Sequence, residues 1–279
     1  MKGEPFSVSG DAGRLGGWVT GEGPPVLVLH GGPGMGAEYL DLMVDEIVDA
    51  AYRVAVFQQR GLSPSTTEGP FTLARALSDA LAVADALGWR RFWLVGHSWG
   101  GHLALHLAVA AEERLLGVLS VDPVGALGDG GLERFNQARV ARVDLSVRPR
   151  LEGVLSELDT HSTTALYREL LDLAWPAYFA DPANAPPMGP TRVDARAGDG
   201  LGLDMVNAMP ALAAALPALR LPMVFVGADG SPIPSEAVRE TAALVPGADF
   251  VLLRDVGHFM WLEKPGCVAE ALDALVGPS

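Results

Sequence analysis

An α/β fold built on a mostly parallel sheet covered on both faces is what this chain predicts, from three observations. Short apolar runs alternate with segments of helical period from residue 16 to residue 121. The runs are apolar throughout instead of alternating with polar residues, the mark of strands buried on two sides. Two of them lead straight into glycine-rich turns: Val26-Leu27-Val28-Leu29 into His30-Gly31-Gly32-Pro33-Gly34, and Arg91-Phe92-Trp93-Leu94-Val95 into Gly96-His97-Ser98-Trp99-Gly100.

The elements follow in order. Residues 16–21 and 26–30 read as early strands. Leu40, Met43, Val44, Ile47 and Ala51 recur at helical spacing, which predicts a helix over 36–51 with one face on the sheet. Residues 53–57 form the next strand, and 58–70, rich in Ser, Thr, Gly and Pro, a loop. A helix over 71–87 stops at Gly88; 92–95 is the strand before the second glycine turn, and 115–121 a further strand ending at Asp122. From residue 123 to about 207 no buried strand is legible. Helices are expected at 133–143, 151–158 and 164–175, and loop at 176–202. The sheet resumes at 222–227 and 250–253, separated by a helix over 235–244 and closed by one over 268–276. The expected organisation is a core of residues 1–122 and 208–279 with a helical insertion, 123–207.

Composition narrows the function. With 279 residues and 49% hydrophobic content the chain can bury a large core. A net charge of −14, with Lys2 and Lys264 the only lysines, offers no basic face for nucleic acid or anionic lipid. A small-molecule substrate, with neither nucleic acid nor membrane as partner, is the expectation. The single cysteine, Cys267, excludes an internal disulfide and reads as a packed thiol. Met1-Lys2-Gly3-Glu4-Pro5 lacks the apolar stretch of a secretion signal, so a cytoplasmic location is expected. The apolar run 209–228 is read as a short helix and a strand, broken by Pro210, Pro217, Arg220 and Pro222.

Gly-x-Ser-x-Gly between strand and helix is a nucleophile elbow: a strained turn stands the Ser98 hydroxyl clear of the sheet, and flanking glycines make room for it. A serine hydroxyl needs a base and a group that orients that base. Gly257-His258, just past the last strand, supplies the base. The order of these motifs resembles the α/β-hydrolase superfamily and, within it, the prolyl-iminopeptidase-like branch, through His30-Gly31-Gly32-Pro33-Gly34, Gln59-Arg60-Gly61, the elbow and the run from Gly257 to Pro265. The resemblance implies an α/β-hydrolase fold with an inserted helical lid, and an oxyanion hole from the amides of Gly32 and Trp99. It implies no cofactor and no metal.

For the acid, the resemblance offers two positions. The branch carries Asp in a Gly-x-x-Asp-x-x-x-Pro pattern, but here Gly227 to Pro234 puts Gly230 at that place and Asp229 one residue early. Asp122, at the end of the strand after the elbow helix, is the other, and is preferred because a strand end holds a carboxylate rigidly. His102 and His106, four apart on a helix, lack the glutamate of a zinc motif and read as packing. Gln58 stands where the branch has Asp, and Arg60 reads as an anchor beneath the glycine loop. Trp175, Tyr178 and Phe179 are expected at an apolar pocket. Serine at the elbow argues against dehalogenase or epoxide-hydrolase chemistry. The reading is a serine hydrolase of small esters or amides. A prolyl aminopeptidase, whose amine site would need Glu157, Asp159, Glu169 or Asp172, is the first rival; a lyase or ligand-binding protein on the same fold is the second.

Overall fold

The computed structural model describes residues 3–10 and 13–277. Eight strands form one sheet: β1 Glu4–Gly10, β2 Gly13–Thr20, β3 Pro25–Leu29, β4 Arg53–Phe57, β5 Phe92–His97, β6 Leu115–Val121, β7 Met223–Ala228 and β8 Asp249–Leu253. Their spatial order is β1-β2-β4-β3-β5-β6-β7-β8, antiparallel through β1, β2 and β4 and parallel from β4 onward. Side chains alternate between two cores. Leu27, Leu29, Ala55, Phe57, Leu94 and Phe225 pack on one face under α2 Leu73–Ala86 and α3 Trp99–Ala110. Val26, Val28, Val54, Val56, Val95 and Val224 pack on the other under α1 Asp41–Asp49 and α10 Cys267–Val276. Each fully buried Val or Leu contributes about 1.5 to 3 kcal/mol relative to exposure, which is why register follows the apolar pattern so closely. Cys267 is among the buried residues.

Between β6 and β7 the chain leaves the sheet as α4 Leu132–Arg142, α5 Arg148–Leu158, α6 Thr164–Ala174 and α7 Ala195–Ala215. It returns to the sheet at β7; α8 Ser235–Ala242 joins β7 to β8, and a short α9, Met260–Glu263, follows β8. This excursion is pinned to the first glycine turn. Met35 bridges Val193, Gly36 N–H donates to the Arg192 carbonyl and Asp194 N–H to that of Gly34, each at 2.8 Å.

Three expectations need correction. β1 is a strand that the sequence reading left out; its period-2 signal rests on Phe6 and Val8 alone, both packed on the core. Residues 195–202 are helix, not loop, so the expected boundary after residue 207 falls inside α7. The glycines that suggested loop serve packing: a Cβ on Gly198 would lie 2.9 Å from the Tyr167 ring, and one on Gly200 2.9 Å from Phe71. Nor does Pro210 break the helix, which continues to Ala215. By length and composition the stretch Ala195–Ala218 is apolar enough to cross a membrane, yet it lies against Phe71 and Tyr167.

Candidate active site

Ser98 joins β5 to α3 with φ 57° and ψ −122°, a backbone that costs a non-glycine residue energy and persists only where its surroundings impose it. They do so here by close backbone contact. A Cβ on Gly96 would sit 2.2 Å from the Gly100 carbonyl oxygen, and one on Gly100 2.1 Å from that of Leu29. Ser98 N–H donates to the Val121 carbonyl at 2.9 Å, tying the elbow to the end of β6.

One residue further on, Asp122 turns with φ 43° and is fully buried. Its Oδ2 accepts from His258 Nδ1 at 2.6 Å and from the Ser231 hydroxyl at 2.5 Å. Burial pushes the Asp122 carboxyl well above the usual range, against the pull of the Ser231 hydroxyl and the Ala228 backbone. His258 is held by its own backbone. Its N–H donates to the Tyr178 carbonyl at 2.7 Å, Gly257 N–H donates to Glu263 Oε2 at 2.6 Å, and a Cβ on Gly257 would strike that same carbonyl at 2.2 Å. Burial lowers His258 to about 3, so at neutral pH the ring is uncharged. With Nδ1–H donating to Asp122, Nε2 is left as the acceptor. The Ser98 hydroxyl and the His258 ring line one cavity, with no hydrogen bond between them.

Behind the histidine lies a chain of contacts with a fixed proton order. His97 is buried, and its Nε2 lies 3.0 Å from the His258 carbonyl, which only a donor satisfies. Its Nδ1 therefore accepts from the Tyr39 hydroxyl at 2.9 Å, and that oxygen accepts from Gly31 N–H at 2.5 Å. The first glycine turn, the elbow and the His258 loop are thus linked by one line of hydrogen bonds. Gly32, with φ 49°, and Trp99, at the start of α3 where the amide has no acceptor in its own helix, both line the cavity. Trp99 Nε1 donates to Gln59 Oε1 at 3.0 Å, and Gln59 Nε2 to the His30 carbonyl at 2.9 Å.

The cavity measures about 380 Å³. Its roof comes from α4, α6 and α7, which bring Phe135, Tyr167, Leu170 and Met205 to face Ser98, His258 and Phe259. Trp175 and Tyr178 line it, while Phe179 packs behind. One charged side chain, Arg139, is among the lining residues, and no carboxylate is.

Residues 24–265 match the family described as alpha/beta hydrolase fold. The chain belongs to the α/β-hydrolase superfamily. A putative non-heme bromoperoxidase, BpoC, of Mycobacterium tuberculosis is 25% identical over 257 residues, spanning 91% of this chain and 94% of that protein. A proline iminopeptidase of Xylella fastidiosa is 37% identical over 152 residues, or 53% of this chain and 48% of that one. The crystal structure of a Mycobacterium smegmatis proline iminopeptidase superposes with a TM-score of 0.70 at 18% identity, covering 98% and 97% of the two chains. The hydrolase class of enzyme is the one these relationships support.

In this α/β hydrolase the structure brings Ser98, His258, Asp122, Gly32 and Trp99 to one place. Asp229 is elsewhere: it is exposed, accepts from Asp255 N–H at 2.8 Å and faces Arg254 at 3.3 Å. The one-residue shift in its loop points the carboxylate away from the ring. Arg60 holds α2 instead of the glycine turn, through a two-pronged contact with Asp79 at 2.6 and 2.8 Å. His102 donates from Nδ1 to the Val124 carbonyl at 3.0 Å and accepts from His106 at 3.2 Å. The four carboxylates considered for an amine site lie off the cavity, and three are ion-paired: Glu157 and Glu169 with Arg150, Asp172 with Arg168. Sequence reading missed Tyr39, His97, Ser231 and Arg139. His97 alone carried a signal, as the polar residue inside the elbow motif; the others are ordinary residues made important by the fold.

Proposed function

We propose that this α/β hydrolase is a serine hydrolase that cleaves a small ester or amide through an acyl-enzyme. Ser98 attacks the carbonyl carbon while neutral His258 takes its proton at Nε2 and returns it to the leaving group. Asp122 holds the ring in the Nδ1–H tautomer and stabilises the imidazolium as it forms. The amides of Gly32 and Trp99 receive the oxyanion, each donor contributing about 3 to 4 kcal/mol. Helices α4 to α7 act as a cap that selects substrate. The contact that carries this reading is His258 Nδ1 on a buried Asp122 at 2.6 Å, beside a serine in a strained elbow.

An ester or amide substrate ranks above a peptide with a free amine, because no carboxylate lines the cavity to receive an ammonium. A fluorophosphonate probe is expected to label Ser98, and 4-nitrophenyl esters to turn over with loss of at least about a thousandfold in Ser98→Ala. Absence of both label and turnover would favour a lyase or binding protein. Turnover of proline 4-nitroanilide alone would restore the aminopeptidase.

A further inference from the structure

Arg139 is 7% exposed, stands on α4 and lines the cavity opposite the elbow. Its Nη2 donates to Asn136 Oδ1, and the guanidinium carbon lies 4.4 Å over the Phe135 ring. Its Nε, sealed from solvent, has no hydrogen-bond partner. Among the described residues no carboxylate lies within ion-pairing distance of it; the chain's other buried arginine, Arg60, is fully paired by Asp79. Buried charges are ordinarily paired, since desolvating a lone cation costs several kcal/mol. A buried guanidinium with no carboxylate partner in a largely apolar chamber is a counter-charge waiting for an anion. The planar fork fits a carboxylate in two-pronged fashion. No second cation lines the cavity to neutralise a dianionic phosphate.

We infer that Arg139 binds a carboxylate on the substrate, so that this enzyme acts on compounds with an apolar body between the scissile carbonyl at Ser98 and an acid group under α4. This rests on the serine-hydrolase reading and specifies its substrate class. The global field does not favour such a substrate, since the chain carries −14; recognition must be local.

Two matched series test it. One compares mono-4-nitrophenyl esters of succinic to suberic acid with neutral 4-nitrophenyl alkanoates of equal length, placing the charge on the acyl side. The other compares 4-acyloxybenzoates with their methyl esters, placing it on the alcohol side. In one series the charged member is expected to exceed its neutral partner at least tenfold in kcat/KM at the best length. Arg139→Gln is expected to lower that ratio at least tenfold, while Arg134→Gln, exposed on the same helix, preserves it. A ratio at or below one at every length in both series, or a ratio untouched by Arg139→Gln, overturns the proposal. If Arg139→Gln fails to fold, competitive inhibition of the unaltered enzyme by suberate but not by dimethyl suberate supports it, and equal or no inhibition by suberate overturns it. Should Ser98 fail to label and neither series turn over, the hydrolase reading falls; calorimetric titration of suberate into the unaltered protein then reads the Arg139 site by itself, binding supporting it and no binding overturning it.

Discussion

The floor and the roof of the cavity come from different kinds of structure. Ser98, Asp122 and His258 follow the carboxyl ends of β5, β6 and β8, and each is fixed by backbone: positive φ at Ser98 and Asp122, and hydrogen bonds from the N–H of Ser98 to the Val121 carbonyl and from that of His258 to the Tyr178 carbonyl. Phe135, Arg139, Tyr167 and Met205 reach the same space from helices, by side-chain volume and charge. Chemistry demands sub-ångström placement, which the floor obtains by crowding backbone until only glycine fits. Recognition demands shape, which many sequences supply. The floor should therefore respond to substitution in rate, and the roof in substrate preference.

The sharpest test of that division sets the two aspartates against each other. Asp122→Asn leaves the packing intact but reverses the hydrogen bond to His258, and is expected to lower kcat by about ten-thousand-fold. Asp229→Asn, on an exposed residue held by Arg254 and Asp255, is expected within about twofold of the parent. Equal losses in the two would move the acid to a floor differently arranged. Next in size are the glycines. Gly100→Ala drives a methyl group to 2.1 Å from the Leu29 carbonyl oxygen, backbone that cannot step aside. Unfolding in urea should register a loss of about 3 kcal/mol or more, as for other core overpacking. Gly202→Ala, a cavity-lining glycine of α7 whose Cβ would have open space, should instead be neutral or stabilise slightly.

These same contrasts explain what was legible. The elbow could be read because close backbone contact forces glycine at residues 96 and 100, and the His258 loop because Gly257 must pass under the Tyr178 carbonyl. The parallel sheet could be read because both its faces are buried, making β3 to β7 near-continuous apolar runs. The candidate acid was ambiguous because Asp122 adopts its positive φ without a glycine to mark the turn in sequence; Asp122 and Asp229 differ in direction, which only coordinates supply. Helix α7 was hidden because Gly198 and Gly200 admit Tyr167 and Phe71, a use of glycine that in sequence looks like a loop. Tyr39 and Ser231 reach their partners across 58 and 109 residues of chain, and Arg139 enters the cavity from α4, with no local pattern to announce any of them.

Titration separates the regions by a different route. His30, His97, His102, His106 and His258 are all lowered by burial, to about 4 at His30 and His102 and about 3 at His106 and His258. A base with a folded pKa below its unfolded value stabilises the fold above about pH 6.5, and that contribution is lost as pH falls toward the folded value, by about 1.4 kcal/mol per pH unit for each histidine. Asp122, raised by burial, has the opposite sign: its contribution is present below the ordinary carboxylate value and lost as pH rises to the raised folded value. Glu46, also raised by burial, shares that sign; with five groups against two, the melting temperature should drop from about pH 6 downward. The acid limb of kcat/KM should lie below the usual imidazole range, because burial keeps His258 neutral. A limb near pH 7 would mean that ionised Asp122 outweighs burial in holding the proton on the ring.

The smallest effect falls on the line of hydrogen bonds behind His258. Tyr39→Phe removes the oxygen that accepts from Gly31 N–H and donates to His97 Nδ1, leaving a part-buried amide and a buried ring nitrogen unpaired at a cost of about 1 to 3 kcal/mol. His97 then loses what fixes its tautomer, and its bond to the His258 carbonyl weakens. A loosened floor should lower kcat by about three- to tenfold with KM unchanged, since the substrate contacts of the roof are intact. Phe135→Ala supplies the contrast, raising KM for apolar esters with little change in kcat. Tyr39 itself lines the cavity, so the split is decisive: a change confined to KM in Tyr39→Phe would make its hydroxyl a substrate contact and assign it to the roof.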